Sequence, residues 1–497
     1  MSLRTILTEL RHRGVLKVAA VYAAIGWVLI EVLSLLFENF DAPAWVLKVT
    51  TTFVLVGFPV ACLMAWGFDI TPEGVRPMPS AHRKSVPQPA DAVTGQAAVV
   101  ELSPMPTVAV LAFDNLSADP EQAYFSDGIA EDIIIDLSRL SHLRVIARNS
   151  SFTYKGKPVD VRQVGRELSA RYVLEGSVRK AGQQVRVASQ LTDTTTGALV
   201  WAERYDRDLV DIFAVQDEIT LEIIEALRLK LTPEMEAQLT RRVAVDLEAR
   251  NLFLRGREHA YLLTANSNAE ARKLLERAIA ISPGFSAAQA CIAFTLVDDY
   301  VMGRGDDPQR SLKSGLAIAR RACAVDDQDP YAQVWLSLAL LWNRQHEEAM
   351  VVVWRSLALA PNLADGRMQL ANLQYYMGDI EDSLKSLDSY MRLDPMYPEI
   401  TLYFLAEAQA ASGQFDAAVT TLKRRLERNP KSETSHALLA SCYGHLGRFE
   451  ESREAWAQVL RIAPGFSLER RRRILPYKTP EIFELRIEGL RKAGLQL

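Results

Sequence analysis

A period constrains this chain more than any other feature. Pro283, Asp327, Pro361, Pro395, Pro430 and Pro464 close successive segments, at spacings of 44, 34, 34, 35 and 34 residues. Asp327, in ACAVDD, stands where the other segments have proline, and the long first interval carries an insertion near GRGDDPQ. Inside the units, Ala371, Ala406 and Ala440 share one position of a first helix, Gly378, Gly413 and Gly447 share the turn, and Ser383, Ala418 and Ser452 share one position of a second helix. Small residues belong where neighbouring helices approach closely. A helix pair repeated at this interval cannot bury its apolar face alone, so the units must stack. The expectation is an all-α superhelix over residues 250–464, about six units. Residues 465–497 then supply a last helix, about 480–493, that caps the apolar end of the stack.

The period and its small-residue positions resemble the tetratricopeptide repeat. That resemblance implies a concave surface, lined by first helices, that binds a protein partner. Carried over position by position, it places Trp342, Asn372, Tyr376, Tyr403, Glu407 and His445 on that surface as candidate partner-binding residues. The plainer reading of the aromatics is packing between repeats. The carboxylate clamp of chaperone-binding repeats needs a basic residue beside an asparagine. Asn372 has Met368 and Phe404 as its expected companions, which disfavours that ligand class.

Ahead of the array the chain is apolar. Residues 18–37, VAAVYAAIGWVLIEVLSLLF, carry a single charge, and at about 1.5 Å per residue they span about 30 Å, the thickness of a bilayer core. A second span over residues 46–68 contains Gly57 and Pro59, which membrane helices tolerate. A cleaved signal peptide is the alternative for the first span, but its apolar run is long and a second follows at once. Arg4, Arg11, Arg13 and Lys17 precede the pair and Arg76, Arg83 and Lys84 follow it, while the connecting loop offers Glu38 and Asp41. Positive flanks stay inside, so residues 1–17 and the large C-terminal part are expected to be cytoplasmic, with the bilayer as a partner of the hairpin. Glu31, roughly 9 Å from its helix end, is best read as snorkelling outward or pairing with Lys48.

Residues 69–106 read as a proline-rich linker, with six prolines between Arg76 and Pro106 and a reach on the order of 100 Å. Residues 107–235 alternate strand-like and helix-like runs in the order β-α-β-α-β-β-β-α, which indicates a mixed-sheet α+β domain. The runs AVLAFDNLSADPEQAYFSDGIAEDIIIDLSRL, RVIARNSSFTYKGK, YVLEGSVRKAG and LVWAERYDRDLVDIFAVQDEI resemble the TolB-like domain, similar to the TolB amino-terminal and FlgO families of bacterial envelope proteins. Such domains often accompany class III adenylate cyclase or winged-helix modules, neither of which occurs here. The resemblance extends to the hairpin ending in FDITPEGV and implies a two-pass protein of the bacterial inner membrane in a signalling context.

The chain has 57 basic against 61 acidic residues, a net charge of −4, so composition gives no drive toward nucleic acid. Cys62, Cys291, Cys323 and Cys442 form no C-x-x-C pair and read as reduced, mostly buried thiols. HEEAM (346–350) has Met350 where a zinc-protease motif needs histidine. Asp298–Asp299 and Asp306–Asp307 read as solvated loop acids, and Arg470–Arg473 as a solvated helix face. Asp114, at a strand end in FDN, is the best candidate for degenerate cyclase chemistry, but Asp160 in PVDVR lacks the hairpin glycine that a second metal-binding acid would need. The sequence therefore indicates a membrane-tethered protein–protein interaction scaffold or signalling adaptor, non-catalytic, with no cofactor or metal. An enzyme or enzyme subunit of cyclic-nucleotide signalling is the alternative. The oligomeric state is not legible.

Overall fold

The computed structural model describes residues 68–71, 74–77 and 105–495, apart from 118, 120–121, 210–211, 230, 233–238 and 240–244. The expected spans at 18–37 and 46–68 lie outside these residues except for Phe68, as do residues 1–17. Among the described residues no helix is long and apolar enough to cross a membrane. Residues 1–97 and 98–497 form two compact units. In the first, β1 (Phe68–Thr71) pairs antiparallel with β2 (Gly74–Pro77). This corrects two expectations: Phe68 belongs to a strand, and the linker begins as a β-hairpin. Ile70, Thr71 and Val75 are β-branched, which suits a pleated ladder.

In the second unit, β3 (Thr107–Val110) lies between two parallel neighbours, β5 (Arg144–Val145) and β6 (Tyr172–Ala181). β4 (Asp114–Asn115) continues along β6, and β7 (Gln184–Asp193) and β8 (Ala198–Asp208) extend the sheet antiparallel. The tight turns fall where expected, with Gly182 at φ 62° and Gly197 at φ 72°. Strand β3 is buried on both faces, as a central parallel strand must be. Val108 and Val110 face α1 (Ala123–Leu137) and α4 (Ile212–Ala226), while Ala109 and Leu111 face α3 (Val161–Leu168) across the other side. A short helix, α2 (Arg148–Ser151), follows β5. Helix α3 starts because Asp160 accepts a hydrogen bond from the Arg162 amide at 2.9 Å. Helix α4 ends before the expected residue 231: the chain turns left-handed at Arg228 (φ 52°), and the Leu229 amide bonds back to the Ile224 carbonyl. That local closure, rather than Pro233, is the stop.

Six helix pairs follow. They are α5 (Leu247–Ala260) with α6 (Ala265–Ile281), α7 (Ser286–Val301) with α8 (Pro308–Val325), and α9 (Pro330–Trp342) with α10 (His346–Leu359). Then come α11 (Ala364–Met377) with α12 (Ile380–Leu393), α13 (Ile400–Ala411) with α14 (Phe415–Arg428), and α15 (Glu433–His445) with α16 (Phe449–Ile462). The small residues sit in the closest contacts. Ala406 and Ala440 have no exposed surface, and the Ser383 and Ser452 hydroxyls donate to the Ala371 and Ala440 carbonyls at 2.8 and 2.7 Å. Serine at that position thus stitches the two helices of a unit together. The turn glycines adopt φ 100°, 79° and 72°.

The α/β domain and the array are one body. Their apolar core is continuous from Val108 and Ile129 through Phe253 and Leu275 to Phe285. Backbone and amide groups bind it across the inter-unit turns: Ala147 N–H to Leu393 O at 2.7 Å, Asn362 Nδ2 to Leu140 O at 2.7 Å, and Asn149 Nδ2 to Met396 O at 2.9 Å.

Candidate protein-interaction groove

The first helices of successive units, α9, α11, α13 and α15, carry the candidate residues, and the face they form is already filled. After α16 the chain turns back through α17 (Leu468–Ile474), crosses the groove over residues 475–480, and lays α18 (Glu481–Lys492) against α15. This corrects the expectation of an end cap. The last helix has the expected extent, but it is a strap inside the groove, with Phe483, Arg486, Ile487 and Leu490 all buried.

The strap is gripped along its length. At the third turn, Arg344 donates to three of its carbonyls, Arg473 O at 2.9 Å, Leu475 O at 3.0 Å and Tyr477 O at 3.4 Å. His346, from the abortive zinc-like motif, donates from Nε2 to Pro476 O at 2.7 Å. Tyr477 packs edge-on against Tyr375 and Tyr376, with ring centroids 5.9 and 5.1 Å away. The Thr479 hydroxyl donates to Met377 O at 2.7 Å. Further along, Arg486 pairs with Glu407, both side chains nearly inaccessible, and lies 3.5 Å from the Tyr403 hydroxyl. Ser441 and His445 donate to Arg486 O and Leu485 O, each at 2.8 Å. Gly444 and Gly489 let α15 and α18 cross with backbones in contact, since a Cβ at either position would strike the opposing helix.

Of the six candidates, the strap covers Tyr376, Tyr403, Glu407 and His445. His445 also stacks on Phe415 at 4.3 Å. Trp342 stands beside Tyr376, centroids 6.3 Å apart, and Asn372 is half-buried. Sequence reasoning missed Arg344, His346 and the strap residues. One clue was available. Arg344 lies 34 residues before Gly378, at the turn position, and adopts φ 60° where later units use glycine. A non-glycine residue held left-handed there costs about 1 kcal/mol or more, and its contacts with the strap offset that.

Other candidates settle differently. Asp298 and Asp299 are not loop acids: they lie buried on α7, bridged by Asn268 and paired with Arg304 at 2.6 Å and Arg272 at 2.8 Å respectively. Arg470, Arg472 and Arg473 are solvent-exposed, as expected. Cys291 and Cys442 are buried and Cys323 half-buried, and burial pushes each thiol up to about 12, which makes them poor nucleophiles. Asp114 is exposed in β4, and Asp160 is occupied as the α3 cap. Among the described residues no three His, Cys, Asp or Glu side chains converge to hold a metal ion.

Two family models, each described as a tetratricopeptide repeat, match residues 374–442 and 434–466. The array is built of tetratricopeptide repeats. Solved structures similar to it include a thermophilic TPR protein of Thermus thermophilus, 20% identical, covering 39% of this chain and 98% of that one with a TM-score of 0.32. Another is PilF of Pseudomonas aeruginosa, 17% identical, covering 45% and 96% with a TM-score of 0.35. A Rhizobium meliloti (strain 1021) protein named "Putative adenylate cyclase 3" is 49% identical over 249 residues, 50% of this chain and 42% of its own length. The chain thus spans less than half of that relative.

Proposed function

We propose that the chain is a membrane-tethered interaction scaffold, held at a bacterial inner membrane by the hairpin at 18–37 and 46–68 with both ends cytoplasmic, whose repeats dock a segment of a partner protein. The carrying observation is the occupied groove. Its resident strap is a peptide recognised by an aromatic pocket at Tyr375 and Tyr376, by a carboxylate at Glu407 and by carbonyl-directed donors at Arg344, His346 and His445. A partner segment carrying an aromatic residue and an arginine at matching spacing satisfies the same groups and enters by replacing the strap. The TolB-like resemblance of the α/β domain supports the signalling context, and the tether raises the effective concentration of partners on the same membrane to about millimolar.

Capture from native membranes with the full chain tests this reading. Gly489→Ala, which unseats α18 but leaves the groove walls intact, is expected to raise the amount of partner held, whereas Tyr376→Ala with Tyr403→Ala is expected to lose it. Partners indifferent to both changes sink the proposal. The named relative favours a second reading, a role in cyclic-nucleotide synthesis. Turnover of nucleotide by the purified chain with magnesium or manganese, lost in Asp114→Ala, would establish it.

A further inference from the structure

Strand β8 closes one edge of the six-stranded sheet, with β7 on its inner side and, among the described residues, no strand on its outer side. It is long for an edge, 11 residues, and every one of them except Trp201 and Tyr205 is exposed. An open edge of this length is a template for another strand. Its one irregularity lies near the start, where Leu191 opposes Trp201 and Thr192 opposes Leu199, which leaves Val200 as a bulge. From Trp201 to Asp208 the ladder is regular.

That regular run reads WAERYDRD, and its charges are arranged to match a copy of themselves. Two copies related by a twofold axis must pair antiparallel along the same strand. Outward backbone groups and side-chain faces both alternate along a strand, so a residue can oppose only one of its own parity, and the axis must pass beside a residue. An axis at Glu203, Arg204, Asp206 or Arg207 sets that charge against its own copy. An axis at Ala202 sets Trp201 against Glu203 and Val200 against Arg204, with no charge matched. An axis at Tyr205 sets Arg204 against Asp206 and Glu203 against Arg207, each twice, with no like charges opposed.

We propose that the chain forms a twofold homodimer in which β8 pairs antiparallel with β8 of a second copy, centred on Tyr205, so that two six-stranded sheets become one. The backbone ladder supplies the attraction and the charges select the register, since opposite charges directly across an antiparallel pair stabilise it and like charges oppose it. A strand of another protein has no need of this self-matching order. The charges have partners within their own chain: Arg204 lies 3.1 Å from Asp206, Arg186 also pairs with Asp206, and Arg207 lies 3.2 Å from Glu218. These side chains are all largely exposed, where such pairs are weak and can be shared with a second copy. Tyr205, on the axis, is already packed in the core with Val187 and Ile219, so pairing requires no rearrangement beneath the strand.

Sedimentation equilibrium of the full chain in a nonionic detergent, at rising protein concentration, tests the proposal. A monomer–dimer equilibrium is expected for the parent. Arg204→Glu with Arg207→Glu makes the edge wholly acidic, and Glu203→Lys with Asp206→Lys makes it wholly basic. Each double variant alone is expected to self-associate about tenfold or more weakly than the parent, while an equimolar mixture of the two should dimerise again. All four side chains are exposed, so melting curves of the variants should overlay that of the parent. A parent that stays monomeric, double variants that associate as tightly as the parent, or a mixture of folded variants that fails to dimerise would each overturn the proposal.

Discussion

Two concave regions end in opposite states: the groove along the first helices of the repeats, and the space beside Tyr331 and Trp335 where the α/β domain meets the array. In the groove, Glu407 meets Arg486 from the chain's own strap, and donors flank the strap backbone on both sides. In the second space, Asp365 is exposed and accepts one hydrogen bond from the Tyr331 hydroxyl. The difference is one of charge accounting. A buried carboxylate needs a guanidinium from within the chain, as Glu407 finds in Arg486, whereas an exposed one such as Asp365 is served by solvent.

The largest expected effect tests the closed side. Glu407→Gln leaves Arg486 buried without its counterion and is expected to destabilise the folded chain by about 3–5 kcal/mol in urea unfolding. Arg486→Met in the same background should recover most of that loss. A cost near zero for the single change would show the pair to be solvated and the groove open. Next is the turn. Arg344→Gly relieves left-handed strain but removes three bonds to strap carbonyls, for a net loss of about 1 kcal/mol. It should also increase proteolysis near residues 475–480, whereas Gly413→Ala, at a turn with nothing within 4 Å of the added carbon, should show strain alone. Smaller still, Ser383→Ala and Ser452→Ala should each cost about 1 kcal/mol or less, by loss of one hydroxyl-to-carbonyl bond.

The exposed side should respond least. Asp365→Asn should melt with the parent at pH 8 and at pH 4 alike, because solvent already serves the carboxylate. A gap that opens as pH rises would mean that the carboxyl is desolvated.

The repeats were legible because their period is local: each 34-residue segment repeats its own small-residue positions, and Ala371, Ser383 and Gly378 occupy the contacts those positions require. The sheet was legible for the same reason, since β6, β7 and β8 are alternating runs joined by glycine turns. The strap was not, because nothing in PYKTPEIFELRIEGL announces a partner 79 residues away in Glu407. An amphipathic last helix suits an end cap equally well, and only the geometry of Gly444 against Gly489 decides between them. Asp298 and Asp299 misled in a related way: adjacent acids look solvated until Arg272, Arg304 and Asn268 converge on them from elsewhere in the chain. Short β5 and the early end of α4 depend on a few backbone bonds that composition does not encode.

A spiral of stacked hairpins behaves mechanically as a spring, because each coil touches only the next. Here Arg344 is tied to residue 477 and Tyr403 to residue 486, so a tension member runs across several coils on the inner side. Such a coil resists being stretched or fraying one turn at a time, and it should yield as a whole under load once the tie lets go.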